Sequence, residues 1–160
     1  MHMPRPDHTF MAATVADQRP MAIGYARVST GRQAEKRSSL VRQIAAIREH
    51  AKKRRQTLLD VVEDTGSASK LSLEDRPALV EVLEQAKAAG AFILVYEVDR
   101  LVRSVAVLDD ILAYGVPIHV VGVGQLRREE LRAQGELAEA FSKRRSDEQR
   151  AASASRRAAG

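Results

Sequence analysis

Serine and arginine stand together in residues 25–30, Tyr-Ala-Arg-Val-Ser-Thr, where Arg27 and Ser29 alternate out of a hydrophobic run into a loop. A serine hydroxyl becomes a nucleophile once something removes its proton and something else holds the charge that develops. Acyl transfer through the usual triad needs a histidine. The four histidines are His2, His8, His50 and His119; none sits in a motif, and Gly-x-Ser-x-Gly is absent. Arginine accumulates instead: Arg27, then Arg76 before Pro77, then Arg100 and Arg103 in Asp99-Arg-Leu-Val-Arg103. A guanidinium stays protonated and grips phosphate oxygens in pairs. Serine with several arginines therefore points to phosphoryl transfer, with charge on phosphorus held electrostatically. No Gly-Lys-Ser/Thr phosphate loop is present and no Gly-rich turn follows the first strand, which disfavours a nucleotide hydrolase or nucleotide-binding protein.

The segments that must position these groups alternate between strand and helix. Residues 22–28 read as a strand ending at Ser-Thr-Gly. Ser39 is placed to cap a helix with Leu40, Ile44, Ile47 and Ala51 on one side and Arg42, Arg48 and Lys52 on the other. Residues 57–62 form a second strand, and residues 63–70 a polar loop carrying Asp64. Pro77 opens a helix that runs to Ala89 and stops at Gly90. Phe92-Ile-Leu-Val-Tyr96 is continuously apolar, as a strand buried on both faces requires. A helix over residues 104–114 and a fourth strand over residues 118–123 complete the pattern. This order predicts a three-layer α/β domain with a mostly parallel central sheet. From Leu126 onward Ala, Arg, Glu and Gln dominate, which predicts a long polar C-terminal helix.

With 160 residues the chain has room for one domain, and 44% hydrophobic residues suffice for its core. Aromatics are only 4% with no Trp, so that core must be aliphatic. The absence of cysteine excludes disulfides and thiolate metal sites and fits a cytoplasmic setting. No apolar run is long enough for a bilayer, so no membrane partner is expected. Three regions are expected: a flexible extension over residues 1–20, an α/β domain that carries the candidate chemistry over 21–125 and a basic helical tail over 126–160. A net charge of +5 favours polyanion partners. Lys143, Arg144, Arg145, Arg150, Arg156 and Arg157 of the tail are the candidate DNA contacts.

The first cluster, with Gln33 close behind it, resembles the N-terminal signature of the resolvase/invertase family of serine site-specific recombinases. Ser39-Leu-Val-Arg-Gln43, Asp64 with Gly66 and Ser67, Arg76-Pro77 and Asp99-Arg-Leu-Val-Arg-Ser104 follow in that family's order. The resemblance spans roughly residues 23–124 and implies a resolvase-like fold. It implies that Ser29 attacks a DNA phosphate to give a 5′-phosphoserine link and a free 3′-hydroxyl. Arg27, Arg76, Arg100 and Arg103 would bind and polarise that phosphate. Gln33 and Gln43 would position the loop or the phosphate, Asp99 would orient arginines, and Asp64 would support the site. Religation reverses the attack, so no cofactor and no metal are implied. The partners implied are double-stranded DNA and a second copy, in homodimers that pair into a tetramer through the final helix.

The sequence departs from the family pattern at three places within these motifs. Residues 34–38 separate Gln33 from Ser39, and Val41 stands where an acidic residue is common. Phe141-Ser-Lys-Arg-Arg-Ser-Asp-Glu replaces the usual Glu-Arg pair of the last helix. That last departure, with the expectation that no DNA-reading domain of the kind small resolvases carry follows it, motivates an alternative: a non-catalytic recombinase-like module that binds DNA or regulates without cutting it.

Overall fold

Alternation along the first strand decides how the sheet is covered. In β1 (Met21–Val28), Ala22 and Ala26 point to one face and Ile23 and Tyr25 to the other, and all four are buried. The computed structural model describes residues 19–28, 33–66 and 72–158, with backbone alone for residues 33 and 34. β1 pairs in parallel with β2 (Thr57–Thr65) on one side and β3 (Phe92–Val95) on the other. β4 (Ile118–Val120) lies parallel to β3, and the two-residue β5 (Gly124–Gln125) returns antiparallel to β4. The strand order is β2-β1-β3-β4-β5.

The small face of β1 receives α1 (Gln33–Lys53), whose Ile47 and Ala51 pack with Ala22, Ala26, Phe92 and Leu94. Gly24 lets this helix ride close, because a Cβ there would sit 2.8 Å from the Ile47 methyl. The opposite face carries α2 (Pro77–Ala89), the single turn α3 (Val98–Leu101), α4 (Val105–Ala113) and the start of α5 (Arg128–Ala158). The result is the expected three-layer α/β arrangement with a mostly parallel sheet and a long C-terminal helix. α1 leads from β1 to β2 over one face, and α2 leads from β2 to β3 over the other. Chains that leave β1 and β3 in opposite directions open a crevice beyond the strand ends, where α/β folds place their ligands.

Four local expectations are corrected. Ser39 does not cap α1; the helix begins at Gln33, and Ser39 lies inside it with Oγ accepting a bond from Gln43 Nε2 at 3.2 Å. Ala34, Glu35, Lys36 and Arg37 are all good helix formers, and their propensity carries the helix back past the serine. β2 continues to Thr65, because β1 pairs with it as far as Val28, so Asp64 stands on a strand rather than in a loop. The fourth strand stops at Val120. Gly122 and Gly124, at φ of 80° and 102°, reverse the chain in backbone conformations that only glycine adopts without strain. Finally, the third strand ends at Val95 rather than Tyr96, ahead of α3, the single turn that carries Asp99 and Arg100.

His50 fastens α1 to that reversal. It is buried, its Nδ1 accepts the Gly122 N–H at 3.1 Å, and its Nε2 is enclosed with no hydrogen-bond partner among the described residues. Burial, with Arg54 nearby, holds its pKa below 6.5, and His119, stacked 3.7 Å from Phe92, is lowered by burial and by His50. The unfolded chain thus takes up protons near pH 6.5 that the folded chain refuses, so stability is full above that pH and falls as pH drops below it. The urea midpoint is expected to decline between pH 7 and pH 5.5, with a shallower decline in His50→Leu; equal slopes in the two proteins would contradict this account.

Candidate active site

Arg27 organises the crevice. It is 1% exposed, and its guanidinium faces three backbone carbonyls. Nε donates to Arg100 O at 2.9 Å, one terminal nitrogen to Gly66 O at 3.1 Å and the other to Asp99 O at 3.1 Å. One side chain thereby ties β1 to the end of β2 and to the segment after β3. Gln43 of α1 holds the same residue by its backbone, accepting from Arg27 N at 3.2 Å and donating to Arg27 O at 3.1 Å. Burial, then the neighbouring Arg103 and Arg76, push the Arg27 pKa down to about 10, which leaves it charged at neutral pH.

A second buried knot lies beside it. Arg76, 5% exposed, donates to Tyr25 Oη at 2.7 Å and to the Leu101 carbonyl, while the Tyr25 hydroxyl donates to Asp64 Oδ2. Asp64 Oδ2 is also 4.0 Å from Arg76 Nε. Burial raises the Tyr25 pKa, Arg76 opposes the shift and Asp64 adds to it, so the phenol stays protonated and bridges the two charges. A phenol between a carboxylate and a guanidinium satisfies both in a largely buried place, with Asp64 at its partly exposed edge.

Arg100 and Arg103 stand differently. Arg100 Nε approaches Asp99 Oδ1 at 3.4 Å without the alignment of a hydrogen bond. Arg103 Nε is enclosed with no hydrogen-bond partner among the described residues. Burial lowers the Arg103 pKa; Asp99 acts in the opposite sense, and Arg145 of α5 lowers it further. Arg103 and Asp99 line a groove of ≈ 580 Å³ whose far wall is α5, through Leu137, Phe141, Arg144 and Arg145. α5 comes this close because Gly135 lies against α4, where a Cβ would be 3.0 Å from Leu108.

The structure thus brings together Arg27, Gln43, Asp64, Arg76, Asp99, Arg100 and Arg103, drawn from four elements and two connecting segments. Of the tail cations it brings in Arg144, paired with Glu148 at 3.0 Å, and Arg145. Lys143, Arg150, Arg156 and Arg157 line no part of that groove, and Arg150 faces Asp147 at 3.8 Å. Ser29, Ser67, the Gln33 side chain and residues 1–18 of the N-terminal extension lie outside the described residues. Sequence reasoning passed over Tyr25. It had a signal, since Tyr25 and Arg27 share one face of β1 by strand alternation. Among the described residues no cluster of three metal-ligating side chains occurs, and no helix is long and apolar enough to cross a membrane.

A family model, the resolvase N-terminal domain, matches residues 22–160. The chain belongs to that family. A resolvase family site-specific recombinase from Streptococcus pneumoniae shares its fold, at 22% identity and a TM-score of 0.54, over 86% of this chain and 95% of that one. The C-terminal catalytic domain of ISC1926 TnpA, an IS607-like serine recombinase, is 26% identical with a TM-score of 0.52, over 63% of this chain and 70% of the other. No curated protein matches the resolvase-domain chain by sequence.

Proposed function

We propose that this chain is the catalytic domain of a serine recombinase that cleaves and rejoins double-stranded DNA at specific sites. Ser29 attacks the scissile phosphate. The Ser29–phosphorus bond forms as the bond to the 3′-oxygen breaks, and the 3′-hydroxyl later reverses the step. The observation that carries this reading is the division among the arginines. Arg27 and Arg76 spend their donors on the walls of the crevice, whereas Arg103 keeps an enclosed Nε donor with no hydrogen-bond partner among the described residues, and Arg100 meets Asp99 at 3.4 Å without a formed hydrogen bond. A donor left open on a partly buried guanidinium favours an anion, and a phosphate at the end of β1 supplies one. In this reading residues 21–125 form the catalytic domain in the cytoplasm. The segment 126–160 serves dimerisation and DNA-backbone contact, and homodimers pair into a tetramer on DNA.

Supercoiled plasmid carrying the DNA that flanks its own gene tests the proposal, with religation stalled and products run on denaturing gels. A protease-sensitive protein–DNA adduct is expected; binding without any adduct would leave a non-catalytic relative as the better description. Arg103→Ala is expected to slow adduct formation by roughly 10²–10³-fold, the usual loss for one transition-state donor. Its urea midpoint should fall less than that of Arg27→Ala, because Arg103 Nε has no hydrogen-bond partner among the described residues whereas Arg27 satisfies three carbonyls. An adduct rate within a few-fold of wild type would remove Arg103 from the phosphate site.

A further inference from the structure

We infer that the groove between α2 and α4 is a docking site for the far half of α5 from a second copy of this chain. The groove has a volume of ≈ 820 Å³ and lies on the sheet face opposite α1. Its floor is apolar, with Val80 of α2 and Tyr114 after α4 resting on the core. Its rim is acidic: Glu74, Glu81, Glu84 and Asp110 line it, and among the described residues no basic side chain does. None of these four carboxylates enters an ion pair among the described residues, although cations outnumber acids 26 to 21 in this chain. An acidic rim around an apolar floor suits a helix that carries arginines at the ends of a row of small side chains.

Such a helix is present and uncovered. Every residue of α5 from Asp147 to Ala158 is exposed, so that stretch buries nothing in its own domain. Helices in proteins gain most of their stability from packing, which this stretch lacks. One of its faces carries Arg150, Ser153, Ala154 and Arg157, at i, i+3, i+4 and i+7. That row sets two cations about 10 Å apart with two small residues between them. Along α2 the groove is lined at the same spacing by Pro77, Val80, Glu81 and Glu84, again about 10 Å from end to end. Arg157 has no ion-pair partner among the described residues, and the Arg150–Asp147 contact, 3.8 Å long and exposed, is readily exchanged. The occupant comes from another copy. α5 is one unbroken helix held against α4 at Gly135, and its next turns pass Asp99 and Arg103, so none of its described residues lines its own α2–α4 groove. Ten described residues line the groove, against about 20–30 on each side of a standard interface, so the contact is weak and reversible.

The chain has no cysteine, so introduced thiols report the contact directly. Ala113→Cys in the groove and Ser153→Cys on the tail are made as separate full-length proteins, free of nucleic acid, with one of them isotope-labelled. Each is checked for a wild-type urea midpoint, and the two are mixed under mild oxidation. Mass spectrometry then follows disulfides between unlike copies. The mixed disulfide should form about tenfold faster than one between Ser153→Cys and Glu49→Cys, an exposed position on α1 across the sheet. Adding Glu81→Lys and Glu84→Lys to the groove copy should cut the rate about tenfold. Adding Arg150→Glu and Arg157→Glu to the tail copy should then restore it. Salt at about 1 M should slow the wild-type pairing as well. Equal rates for the groove and α1 cysteines, or a rate untouched by the charge reversals, overturns the inference. No step of this experiment involves DNA cleavage, so its failure would leave the recombinase reading where it stands.

Discussion

Ser29→Ala is expected to abolish covalent attachment to DNA altogether while leaving the protein folded and able to bind duplex. The reaction proposed here passes through a bond from the Ser29 oxygen to phosphorus, and alanine offers no atom to form it. Neighbouring arginines can still draw the phosphate in, so affinity for arbitrary duplex should stay within a few-fold of wild type and weaken steeply with salt. Stability should hardly change. The anchors of β1 are its pairings from Met21 to Val28 and the Arg27 and Gln43 bonds, and none of them depends on the serine side chain. A gel showing residual adduct from Ser29→Ala would move the nucleophile elsewhere. An adduct-free variant with a lowered urea midpoint would show only that the substitution damaged the fold.

Arg27→Ala is expected to do the opposite kind of harm, losing stability and cleavage together. Its guanidinium satisfies the carbonyls of Gly66, Asp99 and Arg100, and alanine would leave all three facing a cavity. Bonds to a charged group are worth about 1.5–3 kcal/mol each, and abandoned buried acceptors cost a similar amount, so a net loss of at least about 3 kcal/mol follows. That is a large fraction of the roughly 5–15 kcal/mol that holds a domain together. Arg27→Lys should not restore the protein, because a single ammonium cannot reach three separated carbonyls as a planar fork does. Urea unfolding of both variants beside Arg103→Ala is the informative comparison. A wild-type midpoint for Arg27→Ala would mean that the crevice walls stand without it.

Much of the fold was legible because its signals are local. Pro77 at the start of α2 and Gly90 beyond its end bracket a helix over the expected residues, and the apolar run from Phe92 marks β3. What escaped depends on tertiary context. α3 has four residues and β5 has two, too few for any period to appear. Ser39 looked like a cap because serine is a good one, but the preceding residues continue the helix through it. The site divides in the same way. Residue types picked out Arg27, Arg76, Arg100 and Arg103, which the fold gathers around one crevice. The partners of Arg27 are backbone carbonyls, however, and which carbonyls a guanidinium meets depends on how strands distant in sequence come together.

α5 runs from Arg128 to Ala158 in one piece, yet within it only Leu131 and Gly135 are buried. From Gly135 to its end the helix extends about 35 Å, at 1.5 Å per residue. A rod held near one end is a lever with its fulcrum at Gly135. A tilt of about 10° there would carry the far end through roughly 6 Å while shifting Arg145 by only about 3 Å. Whatever grips the exposed length of α5 thereby gains mechanical advantage over the width of the groove, and the opening or closing of the chemical centre can be set from a distance.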